Sequence, residues 1–171
     1  TKVSDLNKKE KKYIYEVYMN NIFPLLAPMN LNGINEIPCI SSGEVCIVAT
    51  IIHAGVEDVV IVPIIKEIDP IYQIDNKVIL VEDIIKTFMN ESLFINKEIV
   101  SYGMFRIIKD ANITVSHDTN KFIVDRMRET LYERDHSKPI FLDVSKNTPE
   151  RLIPILCNLF KIPSGHVYDE S

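Results

Sequence analysis

The chain has 171 residues, a mass of 19.6 kDa, a formal net charge of −5 and 46% hydrophobic residues. This length is typical of one ordinary domain, and 27 isoleucines against five glycines and nine prolines exclude a disordered, collagen-like or low-complexity chain. No apolar run reaches the roughly 18 residues that a transmembrane helix needs.

The amino-terminal stretch and the cysteines together predict a cytoplasmic protein. The stretch Thr1–Lys12 is polar and rich in lysine, so we expect no secretory signal there. The three cysteines (Cys39, Cys46 and Cys157) are an odd number in a chain large enough to have a core, which favours buried or free thiols over disulfides. The acidic balance argues against nucleic acid as a partner, because such binding needs clustered cations facing phosphates.

Residues 1–22 predict a leading helix, because apolar residues recur at helical spacing from Tyr13 onward. The first half of this helix carries four lysines: Lys8, Lys9, Lys11 and Lys12. These lysines could attract a polyanion, or they could form a solvated helix face. The sequence leaves both interpretations open.

Residues 23–41 predict an irregular connector, because three prolines in this stretch disfavour regular helix and central strand. Two strands follow, at Glu44–Ile52 and Asp58–Ile65, and both are rich in β-branched residues. The joint between them is too short for a parallel crossover, so the two strands should pair antiparallel.

The middle of the chain alternates between extended and helical patterns. Tyr72–Ile79 is compatible with an edge strand or a loop, whereas Val81–Asn90 has the apolar spacing of a short helix. Ile99–Lys109 predicts a strand and Asn112–Ser116 another. Asp118–Arg134 predicts a helix, with its first carboxylate as the cap.

The last third of the chain predicts a strand at Pro139–Val144, followed by a helix that begins at Thr148 with a hydroxyl cap. Pro154 interrupts that helix, so we expect a kink or a short first turn there. A short strand at His166–Tyr168 completes the series.

Strands and helices do not alternate strictly in this order, and at least one neighbouring pair of strands is antiparallel. The arrangement predicts an α+β fold: a two-layer sandwich with a mixed, largely antiparallel sheet and helices packed on one face. We expect residues 1–171 to form a single domain. A doubly wound nucleotide-binding fold is disfavoured, because no glycine-rich turn joins a strand to a helix.

The four histidines are too widely spaced along the chain to suggest a metal site. They are His53, His117, His136 and His166. No two lie three or four residues apart and no Cys-x-x-Cys accompanies them, so the zinc patterns are missing. The adjacent pair His117-Asp118 could form an activated imidazole. Adjacent side chains diverge, however, and the position before a helix favours a capping role.

Arg106, with Lys109 and Arg126 nearby in sequence, could coordinate phosphate through its planar fork of donors. A salt bridge at the sheet edge is the simpler interpretation. No nucleophile elbow, phosphate loop or metalloprotease motif occurs. From the residues alone we therefore predict no catalytic, cofactor-binding or metal-binding residue in this chain.

A series of short segments forms a recognisable pattern along the chain. The segments are Phe23–Met29, Ile37–Ser41, Val62–Pro63, Leu80–Ile85 with Leu93–Phe94, Phe105–Ile113, Leu142–Val144, Thr148–Leu152 and Val167–Tyr168. The segment that begins Phe105-Arg106 is the most specific of them. In this order and spacing, over residues 13 to 169, they resemble the head or middle domain of bacterial polyphosphate kinases.

The resemblance implies that the chain is one domain of a phosphotransferase and is inactive alone. These kinases transfer the terminal phosphate of ATP reversibly to long-chain polyphosphate through a phosphohistidine. The resemblance places that histidine, and most contacts to ATP and magnesium, in the last two of four domains, whose "HHPY" and "KQTLYR" segments are absent here. No catalytic residue is carried over.

The resemblance also implies partners and a location. We expect contacts with other domains of the same chain, a homodimer or higher homo-oligomer, and contact with polyphosphate as a further option. The expected location is the cytoplasm or, peripherally, the inner membrane face. Two alternatives stay open: a stand-alone small-ligand-binding or regulatory α+β module, and a compact enzyme that uses His117, Asp118 and Arg106.

Overall fold

The computed structural model describes residues 1–33, 36–110 and 138–169. The chain divides into two compact units, each described here by itself. The first unit comprises Thr1–Asn32 and Ile47–Tyr102, and the second comprises Gly33–Cys46 and Gly103–Ser171. Among the described residues, no helix is long and apolar enough to cross a bilayer.

The predicted leading helix is present but divided into several pieces. A 3-10 turn at Val3–Asp5 precedes helix α1 (Lys8–Val17), which continues into a π turn at Tyr18–Ile22. The helix begins at Lys8 because the side chain of Asn7 accepts hydrogen bonds from the amides of the second and third helical residues.

The predicted connector contains two short regular elements. A 3-10 turn covers Phe23–Leu25, and a two-residue strand, β1 (Met29–Asn30), pairs antiparallel with β3 (Val56–Pro63). Proline at the start of the turn is compatible with it, because a first-turn residue needs no hydrogen-bonded amide. Strand β1 lies at the end of the strand order, where short edge pairing is tolerated.

Strands β2 (Cys46–His53) and β3 form the predicted hairpin, and β2 is buried along most of its length. The two-residue turn has positive φ at both Ala54 (50°) and Gly55 (77°). That combination defines a type I′ turn, whose twist matches antiparallel strands. The predicted strand pair is confirmed, with boundaries shifted by one or two residues.

The segment Tyr72–Ile79, for which the sequence allowed an edge strand or a loop, forms a second hairpin. Strands β4 (Ile71–Ile74) and β5 (Lys77–Leu80) pair antiparallel and lead directly into helix α2 (Val81–Ser92). Helix α2 buries Ile84, Ile85 and Met89 within the first unit. The predicted helix is therefore confirmed and extends two residues further.

Strand β6 (Glu98–Lys109) supplies residues to both units, since the first unit ends at Tyr102 and the second resumes at Gly103. The strand order is β1-β3-β2-β6 in the first unit and β6-β7-β8 in the second. Strand β7 (Pro139–Val144) runs antiparallel to β6, and β8 (Val167–Asp169) runs parallel to β7.

The α+β class with a mixed, largely antiparallel sheet is confirmed. The single-domain expectation for residues 1–171 stays a prediction. The strand predicted at Asn112–Ser116 and the helix predicted at Asp118–Arg134 lie outside the described residues.

The last helix begins later than its sequence pattern suggests. Helix α3 covers Leu152–Phe160 and packs Phe160 against Phe105, with ring centroids 5.7 Å apart. Pro154 is its third residue, so the missing amide falls in the first turn, where no intrahelical partner is needed. The later start of the helix therefore removes the conflict that Pro154 posed for a helix beginning at Thr148.

Thr148, predicted as the cap of that helix, bonds to strand β6 instead. Its hydroxyl donates to the carbonyl of Met104 (3.0 Å) and accepts from the amide of the same residue (3.2 Å). The hydroxyl of Ser145 lies 2.9 Å from that of Thr148 and must be the donor, because the Thr148 proton is already used. Thr148 therefore fixes the loop after β7 onto the backbone of β6.

Gly103 makes this close approach possible. A Cβ at this position would meet Thr148 Oγ1 at 2.6 Å and its Cα at 2.8 Å. Because one of these contacts is to backbone, rotating the side chain of Thr148 would not relieve the clash.

We expect Gly103→Ala to lower the free energy of unfolding by about 1–3 kcal/mol, the usual effect of overpacking. Gly165→Ala is the matched control: its added Cβ meets nothing within 4 Å, so the change should stay within about 0.5 kcal/mol. Urea unfolding of both variants measures the difference. Equal midpoints for the two variants would contradict the proposed contact.

Candidate functional site

The two described histidines are both exposed and lie in different units. His53 Nδ1 lies 3.4 Å from the carbonyl of Asn96, and His166 Nδ1 lies 3.1 Å from the carbonyl of Ile140. Each ring nitrogen thus lies next to a backbone carbonyl. His117 and His136 lie outside the described residues.

All three cysteines are free thiols, as predicted. Burial raises the pKa of Cys46, with the charge of Glu44 adding to the effect, and burial also raises the pKa of Cys157. A raised thiol pKa leaves little thiolate at neutral pH, so neither residue is suited to nucleophilic or redox chemistry. Cys39 is exposed.

Arg106 forms the predicted salt bridge. The residue stands directly across from Asp143 in the antiparallel register of β6 and β7. Its Nη2 and Nε donate to Asp143 Oδ2 at 2.6 Å and 3.1 Å. The pair joins two neighbouring strands, rather than lying at a sheet edge as predicted.

Arg106 and Lys109, which the sequence suggested as possible phosphate ligands, do not share an exposed surface. Arg106 has 41% of its side chain exposed, whereas Lys109 is 7% exposed overall and belongs to the buried positions of β6. The backbone amide of Lys109 donates to Ser42 Oγ (3.0 Å). Arg126 lies outside the described residues.

Among residues 1–33, 36–110 and 138–169, no group of three or more His, Cys, Asp or Glu side chains could hold a metal ion. The pair His117-Asp118 falls outside these ranges. The expectation that this chain supplies no catalytic, cofactor-binding or metal-binding residue therefore stays a prediction.

Four lysines lie close together in the first half of α1. We call these residues, Lys8, Lys9, Lys11 and Lys12, the lysine face of α1. All four are exposed. At about 100° per residue they fall within an arc of about 160°, on the side of the helix away from the buried Ile14. Residues 1–12 hold five lysines and two carboxylates, a local net charge of +3 in a chain whose total is −5.

Glu10, the carboxylate within this run, is bound elsewhere. It accepts hydrogen bonds from the ammonium of Lys77 (2.8 and 2.9 Å) and from the amide of Asn7 (2.8 Å). These contacts, that of Lys77 first, lower the pKa of the Glu10 carboxyl. The carboxylate is thus ionised and fully engaged, and it does not neutralise the lysine face.

Sequence reasoning identified the lysines but missed the ion pair of Glu10 with Lys77, because 67 positions separate the two residues. The partner of Arg106 could not be predicted from the sequence either, because only the register of β6 and β7 places Asp143 opposite it. One contact of Glu10 could have been predicted from the sequence, because Asn7 precedes Glu10 by three residues in the pattern of a capping box.

A family model described as the polyphosphate kinase middle domain matches residues 9–171. The chain is 26% identical to the polyphosphate kinase of Bacillus cereus, with 96% of this chain and 25% of the relative covered. It is 22% identical to the polyphosphate kinase of Streptomyces coelicolor, with 96% and 22% covered.

A solved structure shares the fold. It is the crystal structure of polyphosphate kinase from Porphyromonas gingivalis, with a TM-score of 0.71 at 16% identity, and it covers 95% of this chain and 24% of that one. The chain thus spans about a quarter of the length of the relatives it matches.

We expect the Arg106–Asp143 pair to contribute a coupling free energy of about 0.2–1 kcal/mol, because Arg106 is partly exposed and water screens the interaction. A double-mutant cycle of Arg106→Gln and Asp143→Asn, read by urea unfolding, measures it. The matched control pairs Asp143→Asn with Lys161→Gln, which should be additive. Stabilisation by inorganic phosphate that Arg106→Gln removes would contradict a purely structural pair.

Proposed function

The chain belongs to the polyphosphate kinase middle-domain family, and on this premise we propose that it is the non-catalytic structural domain of a polyphosphate kinase. The complete enzyme transfers the terminal phosphate of ATP reversibly to long-chain inorganic polyphosphate. In this proposal, the reacting histidine and the sites for ATP and magnesium lie in other domains of the longer polypeptide.

The observation that carries the proposal is the extent of the match. The middle-domain model aligns with residues 9–171, almost the whole chain, while this chain accounts for about a quarter of each relative. A stand-alone ligand-binding module could share the fold of these enzymes. Such a module would not be expected to match the middle-domain model along almost its whole length.

The use of polar groups supports the same proposal. The hydroxyls of Ser145 and Thr148 bond to the backbone of β6, and the guanidinium of Arg106 bonds to Asp143. These groups stabilise the fold, and phosphoryl transfer requires instead positioned groups aimed at the transferring phosphate. A scaffold domain contributes by packing against the domains that hold those groups.

The proposal extends to assembly and location. We propose that the domain contacts other domains of its own polypeptide and takes part in a homodimer or higher homo-oligomer. The longer protein would then be a nucleotide-binding phosphoprotein of the cytoplasm. No nucleic-acid partner is proposed, because the chain carries a net charge of −5.

We expect the 171-residue chain to show no ATP-dependent synthesis of polyphosphate, whereas the longer polypeptide that contains it should synthesise polyphosphate. Radiolabel transfer from ATP to an acid-insoluble polymer measures both. Calorimetry should likewise detect no tight binding of ATP to the chain.

Two results would contradict the proposal. Submillimolar ATP binding by the chain would favour the small-ligand module. Phosphate transfer by the chain itself, abolished by His117→Ala, would favour the compact enzyme.

A further inference from the structure

Among the described residues, the four ammonium groups of the lysine face of α1 are exposed and form no ion pair with a carboxylate. We propose that the lysine face binds a stretch of inorganic polyphosphate through electrostatic attraction. The inference rests on the function proposed above and deepens it, since it assigns a binding surface for the polymer to this domain.

These charges are placed unfavourably for the helix itself. Lys8 and Lys9 are the first two helical residues, where the partial positive charge of the helix amino terminus repels cations. Lys8 and Lys12 are four residues apart, and such like-charged neighbours destabilise a helix. Repulsion of this kind is relieved when an external anion occupies the face.

Neither carboxylate of α1 forms an ion pair with the lysine face. Glu10 is engaged by Lys77 and Asn7. Glu16, the other carboxylate of α1, forms none of the ion pairs found among the described residues. In those same residues the four ammonium groups make no ion pair with any acid. The four ammonium groups of the lysine face are therefore exposed to solvent and available to an anion.

All four cations are lysines, and an ammonium is a point charge that imposes no bidentate geometry on a phosphate. A row of such charges attracts a polyphosphate in any register, so the polymer can move along the face as units are added. An arginine fork would instead favour one fixed position.

The observations favour polyphosphate over nucleic acid or a membrane. A nucleic-acid-binding domain is usually strongly basic, whereas this chain has a pI of about 5.4. An amphipathic helix that binds a membrane inserts its apolar side into the lipid, but in α1 that side, with Ile14, is buried inside the protein. Polyphosphate carries a charge on every unit and presents no bases, so cations alone suffice to bind it.

The experiment measures binding of size-fractionated inorganic polyphosphate to the 171-residue chain as a function of salt concentration. In the variant K8Q/K9Q/K11Q/K12Q we expect affinity at low salt to fall at least about tenfold. The slope of log affinity against log salt should become shallower by about 3, if each lost contact contributes as in single-stranded polymers. The melting temperature should be equal or higher, because the repulsion is removed.

The matched control is a variant with the same change in charge at four exposed lysines outside α1: Lys66, Lys138, Lys146 and Lys161, each changed to Gln. This control should keep most of the affinity and the salt slope. An equal loss in both variants would overturn the inference, because it would show that net charge and not the lysine face determines binding.

Three further results would overturn the inference: unchanged polyphosphate affinity in the α1 variant, a lowered melting temperature that reveals a structural role for the lysines, or equal competition by single-stranded DNA or anionic vesicles. Failure of the proposed function is separate, because it would appear as a longer polypeptide that makes no polyphosphate. A longer polypeptide that makes the polymer, with an α1 variant that still binds it, overturns the inference alone.

Discussion

The hydroxyl of Thr148 bonds to both polar groups of the Met104 backbone, and the placement of the loop after β7 in the second unit depends on this close approach. It positions the loop between β7 and α3 on strand β6, next to a glycine that leaves room for it. The strand continues into Phe105, which packs on α3, and into Arg106, which bonds to Asp143. The close approach of Thr148 to β6 thus lies directly before the two residues of this strand that pack on α3 and bond to β7.

The same contact illustrates how this domain uses its polar groups. Hydroxyls, a guanidinium and a carboxylate that could serve chemistry elsewhere are bonded to the backbone or to one another. The described histidines face backbone carbonyls, and burial raises the pKa of two of the thiols. Among the described residues, the four ammonium groups of the lysine face of α1 are exposed and form no ion pair. Such a division is consistent with the scaffold role and the polyanion-binding surface that we propose above.

Local patterns predicted the elements well where burial and propensity agreed. Strand β7 and helix α2 follow their sequence signals, and β6 begins one residue before its prediction. The last helix differs because the hydroxyl of Thr148 bonds to a strand 44 residues away instead of to its own helix. The ion pair of Glu10 with Lys77 was unpredictable for the same reason, since tertiary folding creates it. The four lysines were identified from the sequence, which left their environment open, and the engagement of Glu10 by Lys77 could not be predicted from it.

We propose that this domain supports phosphoryl transfer without carrying the reacting group. Mapping the acid-labile phosphate on the longer polypeptide after incubation with labelled ATP tests it most directly. We expect every labelled histidine to lie outside residues 1–171. Label on any of the four histidines of this chain, confirmed by its loss on substitution of that histidine by asparagine, would contradict the account.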